Sequence, residues 1–254
     1  MHQKRGRRLI FDIRGRHSSK KKVIALKRLM TIPLIDTGMV EMKFLQAGAL
    51  PDLMSLQNVI AANLPCPEIF MLHDDMYFLE ALRLERSIIG VTTEEGLIAY
   101  SIIRIPGLAD DNLGKDLFLP QGEQMKVAHL QAVAVHPAYR GNGLQRKLTS
   151  AHLRVIEEMG YEHVCCTVSP KNPLSLANIL SCGLVIEGLC PKLQGWWRYI
   201  LHKNINFIDM DVCRSEIKIP ISDIEGQLDL LKKGFKGVKI AFAHEGAEVF
   251  YAKF

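Results

Sequence analysis

The 254-residue sequence lacks the features that mark a membrane protein, a secreted disulfide scaffold or a metal centre. No apolar run approaches the roughly 18–20 residues that a membrane-spanning helix needs. The basic N-terminus is not followed by the apolar stretch and small-residue cleavage site of a signal peptide. The six cysteines form no C-x-x-C pair and have no metal-ligand spacing. We therefore expect a cytoplasmic protein with reduced thiols and no bound metal.

Acidic residues are nearly absent from one end of the chain. The full sequence has 32 Lys and Arg against 27 Asp and Glu, a formal net charge of +5. Residues 1–30 hold eleven of these cations and a single acid, Asp12, so this segment carries +10 and the remaining chain −5. A nucleic-acid interpretation of the basic isoelectric point would therefore rest on the N-terminal arm alone.

Residues 1–38 show no regular apolar period before Val23. Such a segment cannot bury enough surface to offset its ordering entropy, so we expect a basic, disordered arm. Other interpretations stay open: a contact to an anionic partner or to another subunit, or a mitochondrial transit peptide. A further alternative is that translation begins later, at Met30, Met39 or Met42.

The remaining sequence alternates strand and helix patterns, which is typical of a mixed α/β fold. We divide it into a main domain, residues 39–204, and a small C-terminal β-α-β-β module, residues 205–254. Residues 127–135 are mostly apolar on both faces, which predicts a central strand. A helix is predicted over residues 143–159. The long, Gly- and Pro-rich segment 106–125 is predicted to be a loop, and loops of this length are usually functional or mobile.

The most informative segment leads from that central strand through Gly141 and Gly143 into the helix. Glycines allow the backbone to approach a ligand closely. The N–H groups of a first helical turn have no intrahelical partner and lie at the positive end of the helix dipole, so they bind phosphate or pyrophosphate. The segment lacks both G-x-x-x-x-G-K-[ST] and G-x-G-x-x-G, so it is neither a P-loop nor a Rossmann turn.

The run Val-His-Pro-Ala-Tyr-Arg-Gly-Asn-Gly-Leu-Gln at residues 135–145 resembles the acetyl-CoA-binding motif of the GCN5-related N-acetyltransferase (GNAT) superfamily, Q/R-x-x-G-x-G/A. Arg140 and Gly143 match the motif, whereas Gln145 stands where the family has Gly or Ala. A second segment, residues 172–175 followed by Cys-Gly-Leu at 182–184, is similar to the family's helix after the fifth strand.

The resemblance implies a central mixed, mostly antiparallel sheet flanked by helices. It also implies transfer of an acetyl group from acetyl-CoA to a primary amine of a small molecule or peptide by direct attack. Main-chain groups near the end of the central strand would hold the pantetheine arm, the glycine loop would hold the pyrophosphate, and an Asn would contact the cofactor arm. The residues that the resemblance assigns to acetyl-CoA are Val133, Ala134, Val135, Arg140, Gly141, Asn142, Gly143, Leu144, Gln145 and Asn172.

The resemblance also suggests a general base but no general acid. Several family members carry a Glu base eleven residues before the Q/R of the motif, and that position is His129 here. An imidazole has an intrinsic pKa near 6.5, which suits base chemistry at neutral pH. The family's usual acid, a Tyr seven residues after the Asn, is replaced by Ile179. The side chains left open as acids are Tyr139, Tyr199, Cys165 and Ser175.

Two further classes of function are retained as alternatives. Gln145 and the missing Tyr would fit a catalytically weak, acetyl-CoA-binding regulatory protein. A nucleic-acid partner is expected only through the basic arm, and no membrane partner is expected. The sequence specifies neither the acceptor amine nor the oligomeric state.

Overall fold

The computed structural model describes residues 28–34, 38–192, 194–207, 216–244 and 246–253. Eleven strands and seven α-helices form in this part of the chain. The strands are β1 (Arg28–Leu34), β2 (Gly38–Phe44), β3 (Ile88–Thr93), β4 (Gly96–Arg104), β5 (Val127–Val135), β6 (His163–Val168), β7 (Val185–Lys192), β8 (Trp196–Asn204), β9 (Ile217–Pro220), β10 (Lys236–Ala243) and β11 (Gly246–Ala252). The helices are α1 (Leu50–Ala62), α2 (Asp75–Arg83), α3 (Leu113–Asp116), α4 (Gln121–Gln124), α5 (Leu144–Glu158), α6 (Pro173–Leu180) and α7 (Ile224–Lys232).

All eleven strands join one sheet in the order β1-β2-β3-β4-β5-β6-β8-β7-β10-β11-β9. Within the described residues every neighbouring pair is antiparallel except β5 and β6. The expected fold class, a mixed and mostly antiparallel sheet flanked by helices, is confirmed. The predicted central strand is β5, which lies between β4 and β6.

Helices cover the sheet on both sides because successive side chains of a strand point to opposite faces. Ala99 and Ile103 of β4 pack in the cluster that contains Leu144 of α5, and we call this side the α5 face. Residues of α6 and α7 join the same cluster. Tyr100 of β4 packs instead with Leu53 of α1 and with residues of α2, and we call this side the α1 face.

Strands β5 and β6 diverge soon after they meet. Only Val127–His129 pair with His163–Cys165. The two strands continue to Val135 and Val168 with no backbone pairing between them in the described residues. The divergence begins at Gln131, an extra residue in the β4–β5 ladder, and such a bulge bends the strand that carries it. We call the resulting gap the wedge; it opens at the C-terminal ends of the two parallel strands.

The N-terminal arm is shorter than the sequence suggested. Residues 28–34 form the edge strand β1, which pairs antiparallel with β2 in a register that sets Thr31 opposite Glu41. This corrects the expectation of a disordered arm through residue 38. The backbone groups of β2 would otherwise be unpaired along this edge, and β1 satisfies them even though its sequence has little periodicity. Residues 1–27 lie outside the described residues, and their disorder stays a prediction.

The C-terminal residues form the expected β-α-β-β order, β9-α7-β10-β11. These strands extend the main sheet, because β10 pairs with β7 at Gly237 and Ile186. The fully buried Gln227 of α7 accepts hydrogen bonds from the hydroxyls of Tyr199 and Tyr251 at 2.7 and 2.9 Å. This bond network links β8, β11 and α7. The division of the chain into two domains at residue 204 stays a prediction.

No helix in the described residues combines the length and apolar character needed to cross a membrane.

A buried hydrogen bond joins the sheet to α5. The Ser101 hydroxyl on β4 and Nδ1 of His152 on α5 lie 2.8 Å apart, and both residues are fully buried.

Burial lowers the pKa of His152 to about 3, and burial with the nearby Arg104 charge lowers the pKa of His129 to about 4. Both imidazoles are therefore neutral in the folded protein, since a charged form would lose its hydration.

These two histidines predict a loss of stability in mild acid. Their folded-state pKa values lie below the unfolded value near 6.5, so stability is full above pH 6.5 and falls as the pH drops toward 4. Each group contributes a slope of up to about 1.4 kcal/mol per pH unit in that window. Urea unfolding between pH 7 and pH 5 measures this slope. The double variant His129→Gln, His152→Gln should flatten it, whereas the exposed control His244→Gln should leave it unchanged; equal slopes in all three proteins would contradict the prediction.

Candidate active site

The glycine loop after β5 has a backbone shape that only glycine adopts easily. Gly141 and Gly143 have φ angles of 86° and 68°, in the left-handed region. Gly143 is the N-cap of α5, so the unpaired N–H groups of the first turn begin directly after it. The loop is held by short local bonds: His136 Nδ1 accepts from the Ala138 N–H, and Asn142 Nδ2 donates to the Tyr139 carbonyl.

A cavity of about 560 Å³ lies beside this loop. Its wall includes three cationic side chains of α5, Arg146, Lys147 and Arg154, and no acid. Together with the first-turn N–H groups they make an electropositive surface suited to phosphate groups. Sequence reasoning missed these three cations, although their spacing along the predicted helix places them toward one side of it. The other lining residues are Gly141, Asn142, Gly143, Ser150, Ala151, Ser181 and Cys182.

The fold brings most of the predicted acetyl-CoA residues to one place. Val133, Ala134 and Val135 lie on the part of β5 that borders the wedge, and the loop from Arg140 to Gln145 follows directly. The side chains of Ala134 and Leu144 are buried in the core, so only their main-chain groups can contact a ligand. The described residues contain no group of three or more His, Cys, Asp or Glu side chains placed to hold a metal ion.

A comparison with known families identifies this arrangement. A model of the acetyltransferase (GNAT) family matches residues 60–183, which include the wedge, the glycine loop and α6. The chain contains a GNAT acetyltransferase domain. The resemblance seen in the sequence motif is confirmed, and the domain is that of an acyltransferase. No curated protein sequence matches the chain.

Solved GNAT structures share the fold at low identity. The structure of yncA from Salmonella typhimurium, with its cofactor acetyl-CoA, is 14% identical with a TM-score of 0.53, and covers 68% of this chain and 99% of that one. A GNAT-family acetyltransferase from Listeria monocytogenes is 17% identical with a TM-score of 0.51, at 70% and 99% coverage. An N-acetyltransferase from Staphylococcus aureus is 11% identical with a TM-score of 0.52, at 66% and 99% coverage.

The departure from the GNAT motif at Gln145 has a structural explanation. The Gln145 amide donates to Ser175 Oγ and accepts from Asn178 Nδ2, each at 2.8 Å. Its side chain therefore bridges α5 to α6 and does not project over the first-turn amides. Asn172 is the N-cap of α6, where its Oδ1 accepts from the Ser175 N–H at 3.1 Å. Both side chains fix the position of α6 relative to the loop.

The predicted base, His129, already has a hydrogen-bond partner. Its Nε2 accepts from the Leu113 N–H at 3.1 Å, which holds the start of α3 against β5. The lone pair of this nitrogen is thus occupied, and its pKa of about 4 makes it a weak base at neutral pH. Both observations count against proton abstraction by His129, although its role stays a prediction. They favour a role in which His129 positions the loop that precedes β5.

The four side chains left open as general acids lie in different surroundings. Tyr139 donates to Glu95 at the protein surface, and Tyr199 donates to Gln227 deep in the α5-face core. Burial raises the pKa of Cys165 well above its usual value, so the thiol stays neutral. Ser175 is held by Gln145. Tyr139, Tyr199 and Ser175 therefore each have a hydrogen-bond partner in the described structure, and which of the four side chains acts as an acid stays open.

Sequence reasoning missed a polar group on the α1 face. The hydroxyls of Tyr77 on α2 and Tyr100 on β4 are buried and have no hydrogen-bond partner among the described residues. Burial raises the pKa of both phenols, so each hydroxyl keeps its proton. Beside them, Arg104 and Asp111 form a two-bonded ion pair. No local motif could reveal this group, because three separate segments supply it.

The Gln145 bridge predicts a stability effect. The variant Gln145→Ala loses both side-chain hydrogen bonds, so the free energy of unfolding should fall by about 1–2 kcal/mol. The melting temperature should drop by about 2–4 °C for each kcal/mol in a chain of this size. Differential scanning calorimetry of the variant measures the shift. An exposed position on the same helix, Glu157→Ala, is the control, and an equal shift in both variants would refute the bridge.

Proposed function

We propose that this protein transfers the acetyl group of acetyl-CoA to a primary amine of a small molecule or peptide, by direct attack of the amine on the thioester. The observation that carries the proposal is the wedge: an unpaired edge of β5 that leads into a glycine loop and an electropositive cavity. When bound, acetyl-CoA supplies an activated acyl group with a thiolate leaving group.

The residues present fit this donor. Phosphate oxygens need N–H donors and positive charge, which the first turn of α5 and the cations Arg146, Lys147 and Arg154 supply. The amides of an extended pantetheine arm need strand-like partners, which the free edge of β5 at Val133 and Val135 supplies. Arg140, which is exposed, adds positive charge at the loop. The Gln145 bridge leaves the loop amides in place, so it does not favour the regulatory alternative.

The acceptor amine would approach the wedge from the α1 face. Helices α5 and α6 cover the opposite face, where the phosphate groups would be bound. The chain after residues 1–30 has a net charge of −5, which suits a cationic amine. Because His129 is occupied by the Leu113 N–H, we propose that water carries the amine proton away and that the enzyme acts mainly by positioning.

Acetyl-CoA should stabilise the protein through the glycine loop. At a hundredfold excess over its dissociation constant, binding should raise the free energy of unfolding by about 2.7 kcal/mol, which thermal melting detects. The variant Gly143→Val should abolish this gain, since a β-branched residue cannot easily adopt the left-handed φ. Gly122→Val is the matched control, because Gly122 lies in open space without a positive φ. An unchanged melting temperature of the wild type at millimolar acetyl-CoA would remove the proposal.

The variant His129→Gln tests whether this residue is the base. If it positions α3, the glutamine oxygen can still accept from the Leu113 N–H, and kcat/KM should stay within about threefold of wild type with the same pH profile. If it is the base, kcat/KM should fall by about 10²–10⁴-fold. His129→Leu should cost about 1–3 kcal/mol of stability by leaving the N–H unpaired. Free-thiol release across pH 5–9 and thermal melting on the same samples give the answer.

A further inference from the structure

Arg198 lies on the side of the sheet from which the acceptor would approach. Residues directly paired across strands share a face, so the pairs of His129 with Cys165 and of Cys165 with His202 place all three on the α1 face. Arg198 is four residues before His202 on β8 and therefore points to the same face. It comes just beyond the last β6–β8 pair, Val168 with Tyr199, at the end of β6 that borders the wedge.

The guanidinium of Arg198 is buried but incompletely bonded. The residue is only 4% exposed. Its Nη2 donates to the main-chain carbonyl of Glu68, and its carbon Cζ lies 5.9 Å from the centre of the Trp196 ring. Its Nε is buried and has no hydrogen-bond partner among the described residues. A buried charged donor without a partner is uncommon, and a water molecule or a ligand can complete its hydrogen bonding.

The charges around Arg198 do not balance. Glu68 is the carboxylate next to it, and this carboxylate forms an ion pair with Lys171. The negative charge of Glu68 acts on both cations. The group of Glu68, Lys171 and Arg198 therefore has two positive charges and one negative charge. Burial lowers the pKa of Arg198, as expected of a guanidinium that lacks its own counter-ion.

Arg198 makes its hydrogen bond with a segment that connects two helices. Glu68 belongs to the short 3-10 helix Pro67–Ile69, between α1 and α2. The hydrogen bond is accepted by the main-chain carbonyl of Glu68. A displacement of this segment would free Nη2 of Arg198 to bond with a ligand. The nearby Trp196 ring supplies an apolar wall.

We propose that Arg198 binds the carboxylate of the acceptor, so that the substrate class is an amine that also carries a carboxylate, such as an amino acid or a short peptide. The planar N–H fork of arginine matches a carboxylate in geometry. One carboxylate supplies the single negative charge that the group lacks, whereas a phosphate would exceed it. The phosphates of the acetyl donor are assigned to the opposite face, beside α5. This inference rests on the proposed acetyl transfer and names its acceptor.

Matched acceptors test the inference directly. Each free amino acid is paired with the amine that lacks only its carboxylate, for example phenylalanine with phenethylamine and lysine with cadaverine. Acetylated products are quantified by mass spectrometry with wild-type protein and acetyl-CoA. We expect kcat/KM for the best amino acid to exceed that of its decarboxylated partner by about 10- to 100-fold, the usual range for a lost charge-assisted bond. Equal rates within the pairs would overturn the inference.

Variants at the same position attribute the preference to Arg198. The variant Arg198→Gln should raise KM for the amino acid by about tenfold or more. The KM values for the decarboxylated amine and for acetyl-CoA should stay unchanged. Arg198→Lys keeps the charge but loses the fork, and should recover only part of the preference. Lys171→Gln is the control, because it removes a positive charge from the same group at an exposed position. A preference that survives Arg198→Gln, or that Lys171→Gln removes equally, would overturn the assignment.

The outcomes separate this inference from the proposed function. If acetyl-CoA stabilises the protein and amines are acetylated without regard to a carboxylate, only the role of Arg198 is wrong. If acetyl-CoA produces no thermal shift and no amine is acetylated, the proposed function fails, and this inference fails with it. Should Arg198→Gln not fold, the wild-type pairs and the Arg198→Lys variant still decide the question.

Discussion

The divergence of β5 from β6 is the constraint on which the rest of the structure depends. After Val127–His129 the two strands stop pairing, and the bulge at Gln131 turns β5 away. An unpaired strand edge inside a sheet presents N–H and C=O groups with which another extended molecule can pair. The same divergence places the start of α5 at the mouth of the gap, so that its unpaired N–H groups are available. The strand edge and the helix N-terminus both have backbone groups without partners, and together they form one extended surface that a ligand could bind.

The two faces of the sheet divide the chemistry. On the α5 face, the glycine loop and the cations of α5 form a positively charged surface, to which we assign the phosphate groups of the donor as part of the proposal. On the α1 face, the Tyr77 and Tyr100 hydroxyls and the Nε of Arg198 are buried and lack hydrogen-bond partners in the described structure. Buried polar atoms without partners are destabilising, and proteins retain them mostly where a ligand or water completes the bonds. These three atoms on the α1 face are the physical basis for proposing that the acceptor binds on that side.

Several residues that looked catalytic or aberrant in the sequence form hydrogen bonds that hold elements together. Gln145 departs from the GNAT motif because it joins α5 to α6 through two hydrogen bonds. His129 holds the first turn of α3, and Tyr199 binds the C-terminal helix through Gln227. These assignments follow from distances between atoms that lie far apart in sequence. A motif alone shows which residue types are present but not which partners they have already found.

The sequence by itself determined the elements and the loop. Apolar periodicity, the glycines at 141 and 143 and the motif around Arg140 predicted the fold class, the central strand and the site of the donor, because these features depend on neighbours within a few residues. Only the tertiary structure decided the pairing of residues 28–34 with β2, the occupied state of His129 and the meeting of Arg198 with Glu68, 130 residues apart. Edge pairing, burial and charge balance depend on contacts between segments that are far apart in sequence. No local pattern in the chain could therefore reveal them.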